Sequence, residues 1–137
     1  MRIAGDGPER STVEALMAPF AANVTFLGAL PANKLVWEYA DASALLWPGV
    51  NEAYGLTYLE ARAAGLPVVA QDRPGVRDVA GDHLTPIADG PAGLAKQLRI
   101  WLATTHLRIA DRATARQPVG KKHLLPAAAT RLTEILE

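Results

Sequence analysis

Apolar residues along the chain alternate between short continuous runs and stretches where they recur every three or four positions. Runs at 1–5, 24–27, 43–47, 67–70 and 84–87 read as strands, of which 43–47 suits one covered on both faces and 24–27 and 67–70 read as buried. Between them, Val13, Leu16, Met17 and Phe20 mark one side of a helix that follows Pro8 and is ended or disturbed by Pro19. Leu35, Val36 and Tyr39 mark a second helix over 32–39. A third runs from about 56 to a stop at Gly65, with Ala61, Ala63 and Ala64 small enough for close packing on a sheet. A longer helix from Pro91 carries Leu94, Leu98, Trp101 and Leu102. Residues 107–116 and a last segment from Pro126, with Ala128, Leu132, Ile135 and Leu136, also read as helical. Strands alternating with helices predict an α/β fold: an open parallel Rossmann-like sheet with helices on both faces and right-handed crossovers. The whole of 1–137 is expected to be one such domain, the helices of 91–137 packing on it.

Composition narrows the function. Half of the 137 residues are hydrophobic and 20% are charged, a globular make-up with enough chain for a real core. Fourteen basic residues balance fourteen acidic ones, so no net field draws nucleic acid or an anionic membrane. With no cysteine there is no disulfide, thiolate metal site or thiol nucleophile. His83, His106 and His123 are scattered without a second ligand at helical spacing, so none is assigned to metal or acid–base work. No signal peptide or spanning run is read, and a cytoplasmic location is expected.

Ligand chemistry concentrates between Trp47 and Ala70. Gly55-Leu56-Thr57 opens a helix, where unpaired backbone N–H groups and the positive end of the helix dipole suit a phosphate. Glu52 precedes that helix and Glu60 lies about a turn and a half into it. An ionised carboxylate only accepts hydrogen bonds, so Glu60 suits a pair of neighbouring hydroxyls, such as those of a ribose. Glu52 could accept from sugar hydroxyls or steady positive charge developing at a sugar carbon. Two solvated glutamates on an amphipathic helix would show the same spacing. Gly5-Asp6-Gly7 lacks a third glycine and a following lysine, and reads as a tight strand-to-helix turn rather than a phosphate loop. Arg73 and Arg77 either reach phosphate or simply solvate their loop.

The pattern Glu52-x7-Glu60, with Tyr54-Gly55 inside it and Gly65-Leu66-Pro67-Val68-Val69-Ala70 after it, resembles the signature of group 1 glycosyltransferases. Three other stretches agree in order: Gly5-Asp6-Gly7-Pro8, Val24-Thr25-Phe26-Leu27-Gly28, and Ala40-Asp41 leading to Trp47-Pro48. Departures are Pro74 where the family carries a glycine, Asp78 where glutamate is common, and Gly81-Asp82-His83 in place of an Asp-Gly-x-x-Gly turn. The resemblance implies the carboxyl-terminal, donor-binding half of a retaining GT-B enzyme that uses a nucleoside-diphosphate sugar. It implies that Glu52 positions the donor sugar and is the catalytic candidate, while Glu60 holds the ribose. Tyr54, Gly55, Leu56 and Thr57 join Glu60 in the donor site, and Gly28, Ala29 and Leu30 border the nucleotide base. Neither a metal nor a separate cofactor is implied.

Against the family pattern the chain also lacks a first strand and helix bearing Gly-Arg and Lys-Gly, and an amino-terminal half that would bind the acceptor. It is therefore expected to be a truncated piece, inactive alone. Its partners would be the donor and the missing half, and any peripheral membrane association belongs to that half. Without the strand between 1–5 and 43–47, those two strands should keep unpaired inner edges or be forced together. A non-catalytic nucleotide-sugar-binding module, a sugar-nucleotide epimerase of the same fold and a plain structural domain are the alternatives.

Overall fold

The computed structural model describes residues 1–49, 55–80 and 84–104, with Pro126, Thr130, Thr133 and Glu134, except for the side chain of Asp78. Elements alternate as expected: β1 (Arg2–Ala4), α1 (Arg10–Met17), β2 (Thr25–Gly28), α2 (Ala32–Asp41), β3 (Leu45–Trp47), α3 (Leu56–Ala63), β4 (Val68–Gln71), α4 (Arg77–Ala80), β5 (Leu84–Thr85) and α5 (Gly90–Ala103). Every described ladder is parallel, as strand–helix–strand connections require. The fold is a parallel α/β one. The chain divides into two compact units, 1–38 and 39–137.

In the first unit β1 pairs with β2 through Arg2 opposite Thr25 and Ile3 opposite Phe26, with a register shift before Ala4 meets Gly28. The shift lets the Gly5 amide donate to the Gly28 carbonyl at 2.8 Å, closing the strand ends together. Helix α1 begins at Arg10, and Pro19 falls in a 3-10 turn over Ala18–Asn23. The apolar face expected on α1 is largely open: Leu16 is 68% and Phe20 59% exposed, with Val13 and Met17 half-buried. Periodicity gave the helix correctly but not a partner for its face. Exposed ion pairs join Arg10 to Asp6 (3.0 Å) and Glu14 (2.8 Å), and Arg2 meets Glu38 at 3.1 Å. Such pairs contribute little in water.

The second unit holds the described core. Strand order is β3-β4-β5, with Leu45 opposite Val68, Trp47 opposite Ala70 and Gln71 opposite Thr85. All four residues of β4 are buried, which is why 67–70 reads as an unbroken apolar run. Tyr58 and Ala61 from α3, Val76, Val79 and Ala80 around α4, and Leu94 and Trp101 from α5 are buried with them. Of the three alanines expected to face the sheet, only Ala61 is fully buried; Ala63 is exposed and Ala64 half-buried. β5 stops at Thr85 rather than running to 87, because Pro86 offers no N–H to a ladder and leads into a 3-10 turn over Ile87–Asp89.

β1 and β3 each have one hydrogen-bonded neighbour among the described strands. Segment 107–116 lies outside the described residues, as does most of the stretch after Pro126. No described helix is long and apolar enough to cross a membrane.

The burial contrast on α5 gives a stability test. Trp101→Ala, at a site 1% exposed, should cost about 3–5 kcal/mol. Leu102→Ala, at a neighbour 47% exposed, should cost well under that. Urea unfolding followed by circular dichroism measures both; equal losses would show that α5 packs through another face.

Candidate functional site

The amino terminus of α3 is built by two glycines and two aromatic rings. Gly55 caps the helix at φ 71°, ψ 55°, a left-handed conformation that costs other L-residues roughly 1–2 kcal/mol. The Tyr58 ring lies where a Cβ on residue 55 would sit, so no other side chain fits there without a shift. Trp47, at the end of β3, covers Gly49 in the same way. The two rings meet edge to face, centroids 6.2 Å apart at 87°, a pairing worth about 0.5–1.5 kcal/mol beyond its burial. Each end of the loop between β3 and α3 is therefore a glycine seated against an aromatic ring.

The Gly55 carbonyl accepts from the Tyr58 amide at 3.0 Å and, more weakly, from Leu59 at 3.4 Å. Among the described residues, the amides of Gly55, Leu56 and Thr57 have no protein acceptor, and no side chain caps the helix. The first turn of α3 carries no acidic residue and the last carries Arg62, so the helix brings no carboxylate of its own to its positive end. At the other end, Gly65 at φ 77° lets the Leu66 amide reach the Ala61 carbonyl at 2.8 Å, a Schellman closure.

Glu60 stands on α3 with its carboxylate accepting the Tyr39 hydroxyl at 3.2 Å through Oε2. Tyr39 comes from α2 and is 7% exposed. Burial first, then the neighbouring Glu60 charge, pushes its phenol up to about 12 from an ordinary value near 10. This contact was not visible in the sequence, where the two residues lie 21 positions apart.

Glu52 and Tyr54 lie outside the described residues, as do His83, His106 and His123. Gly28, Ala29 and Leu30 are described in the first unit, at the carboxyl end of β2, where Gly28 has φ 67°. Sequence reading missed a cation there. Arg10, held by Asp6 and Glu14, brings its Nη1 to within 3.3 Å of where a Cβ on Gly28 would lie. These two carboxylates raise the Arg10 pKa further. The only sequence signal was acidic residues four positions either side of Arg10.

The two loop arginines have protein partners. Arg73 places Nε and Nη2 on the Gln71 side-chain oxygen at 3.0 and 2.7 Å. Arg77 forks onto Asp72 at 2.7 and 2.9 Å and, chiefly by that hydrogen bonding, lowers its carboxyl below the usual range.

The elements form a parallel α/β domain in which, among the described residues, the start of α3 has no acceptor for its first amides and Glu60 follows on the same helix. Residues 1–104 match the family model described as glycosyl transferases group 1, and the chain belongs to that family. It is 32% identical over 111 residues to 2-deoxystreptamine glucosyltransferase of Streptomyces kanamyceticus, covering 80% of this chain and 27% of that protein. It is also 32% identical over 110 residues to GDP-mannose-dependent alpha-mannosyltransferase of Mycolicibacterium smegmatis, covering 80% and 28%. The structure of pneumococcal O-GlcNAc transferase GtfA, solved with UDP and GlcNAc, superposes with a TM-score of 0.75 at 24% identity, over 99% of this chain and 29% of that one. The chain thus spans under a third of each of these proteins. The fold is that of GT-B glycosyltransferases, as the resemblance implied.

Two outcomes follow from this geometry. Gly55→Ala should lower the melting temperature markedly, whereas Gly7→Ala, where an added Cβ meets nothing within 4 Å, should leave it nearly unchanged. Comparable melting curves for the two would remove the strain assigned to residue 55. The Tyr39 phenol is harder to ionise folded than unfolded, so its contribution is complete below about pH 10 and fades as pH rises towards about 12. Phenolate absorbance should therefore show a late-titrating group that Tyr39→Phe lacks.

Proposed function

We propose that this chain is the donor-binding part of a retaining glycosyltransferase and takes a nucleoside-diphosphate sugar. The observation that carries the reading is the start of α3, where three successive amides have no described protein acceptor and face no acid from their own first turn. A diphosphate placed there accepts those hydrogen bonds, and the dipole favours the charge it gains as it leaves. Glu60 accepts from the ribose hydroxyls, and Glu52 holds the donor sugar. Gly28, Ala29 and Leu30 border the base. In this reading Tyr54 belongs to the donor site with Leu56 and Thr57, and the reaction runs by front-face attack through an oxocarbenium-like state. No metal or cofactor has a part in it, and the setting is cytoplasmic. The acceptor would be held by an amino-terminal half such as GT-B enzymes carry, and the remaining cations for the diphosphate would come from the Gly-Arg and Lys-Gly of the first strand and helix in the family's donor-binding half. The names of the two relatives and of the solved structure support a sugar-transfer role, and they differ in nucleotide: GDP-mannose for one, UDP for another.

Calorimetric titration of UDP and GDP into the 137-residue chain is the direct test. One of the two should bind, and Glu60→Gln should weaken it about tenfold or more, since a hydrogen bond to a charged group is worth about 1.5–3 kcal/mol. In an active protein containing these residues, Glu52→Gln should lower kcat while Glu60→Gln mainly raises the donor KM. Binding of neither nucleotide, or unchanged behaviour of both variants, would falsify the assignment.

A further inference from the structure

Glu60 does not stand alone. It is an exposed residue on α3, and a glutamate has three rotatable side-chain bonds before its carboxylate. Tyr39, by contrast, is fixed by burial on α2 and aims its hydroxyl at one oxygen of that carboxylate, 3.2 Å away. A neutral phenol is a donor, and it stays neutral well beyond physiological pH because burial and the adjacent charge both oppose its ionisation. Among the described residues, the other oxygen, Oε1, has no partner. Each carboxylate oxygen has two acceptor positions, so the phenol leaves three of the four for a ligand. The donor thus holds one edge of the carboxylate and leaves the other free.

We infer that Tyr39 is a positioning residue for diol recognition: its buried hydroxyl holds the Glu60 carboxylate in the orientation that accepts two neighbouring ligand hydroxyls. This rests on the proposed role of Glu60. The phenol does not touch the ligand; it removes the freedom the carboxylate would otherwise lose on binding, and that freedom is part of what binding costs. The chemistry recognised is a vicinal cis-diol on a nucleoside diphosphate. Ribonucleotides are thereby separated from their 2′-deoxy and 3′-deoxy counterparts, in which one of the two acceptor contacts has no donor.

The test compares UDP, or GDP if that is the nucleotide bound, with its 2′-deoxy and 3′-deoxy forms on the full 137-residue chain. The unaltered protein should bind the ribonucleotide more tightly than either deoxy form, by about tenfold. Tyr39→Phe should weaken the ribonucleotide several-fold and the deoxy forms, which keep one contact to Glu60, by less, and so bring the ratio towards one. A merely structural role would weaken all ligands together. Loss of discrimination in Glu60→Gln but not in Tyr39→Phe overturns the positioning role and leaves the Glu60 assignment standing. No discrimination in the unaltered protein, or a full ratio in Glu60→Gln, overturns both. Should Tyr39→Phe not fold, 3-fluorotyrosine at residue 39 keeps the shape and makes a stronger donor. Discrimination should then be retained, and its loss would count against the inference.

Discussion

The left-handed backbone at Gly55 is the constraint on which the described site depends. It caps α3, whose first amides have no acceptor among the described residues, and it does so against the ring of Tyr58. Tyr58 in turn is held edge-on by Trp47 at the end of β3. The strand end, the helix start and the ring pair form one mechanical unit. A residue with a Cβ at position 55 would have to displace an aromatic ring that is 1% exposed, and a packed interior gives way to such a push only at a cost.

Behind that unit lies β4, the strand with neighbours on both sides and the one whose every residue is buried. It carries the packing of α3, α4 and α5 and so fixes the base from which the α3 amides project. Arg62 adds a polar tie by donating to the Val79 carbonyl at 3.4 Å. The unit over 1–38 is organised differently. Its residues are half-buried or exposed, and its ladder is two strands wide.

Sequence was informative where a residue type has few conformational alternatives. Gly55 and Gly65 marked both ends of α3 because left-handed turns at a helix boundary favour glycine over other residues. Val68, Val69 and Ala70 announced a covered strand because no solvent-facing strand tolerates that run. It was less informative where the outcome depends on what an element meets. The spacing of Val13, Leu16, Met17 and Phe20 specifies a helix with an apolar side, yet two of these side chains remain mostly in water. Contacts between distant positions were beyond it. The Tyr39 hydroxyl on Glu60 and the Arg10 guanidinium beside Gly28 arise only once Tyr39 meets α3 and α1 meets the end of β2. Pro86, which has no N–H for a ladder, ends β5 two residues short of the apolar run.

The three tryptophans sit in three different settings. Trp37 on α2 is 74% exposed and belongs to the first unit, Trp101 on α5 is 1% exposed within the second, and Trp47 is half-covered beside Tyr58. Indole emission shifts to the blue as water is excluded, and a collisional quencher reaches only rings that face solvent. The protein therefore carries an optical reporter in each unit, and a third ring stands at the edge of the loop that precedes α3. A ligand settling over that loop would alter the signal from Trp47 while the glow of Trp101 stayed as it was.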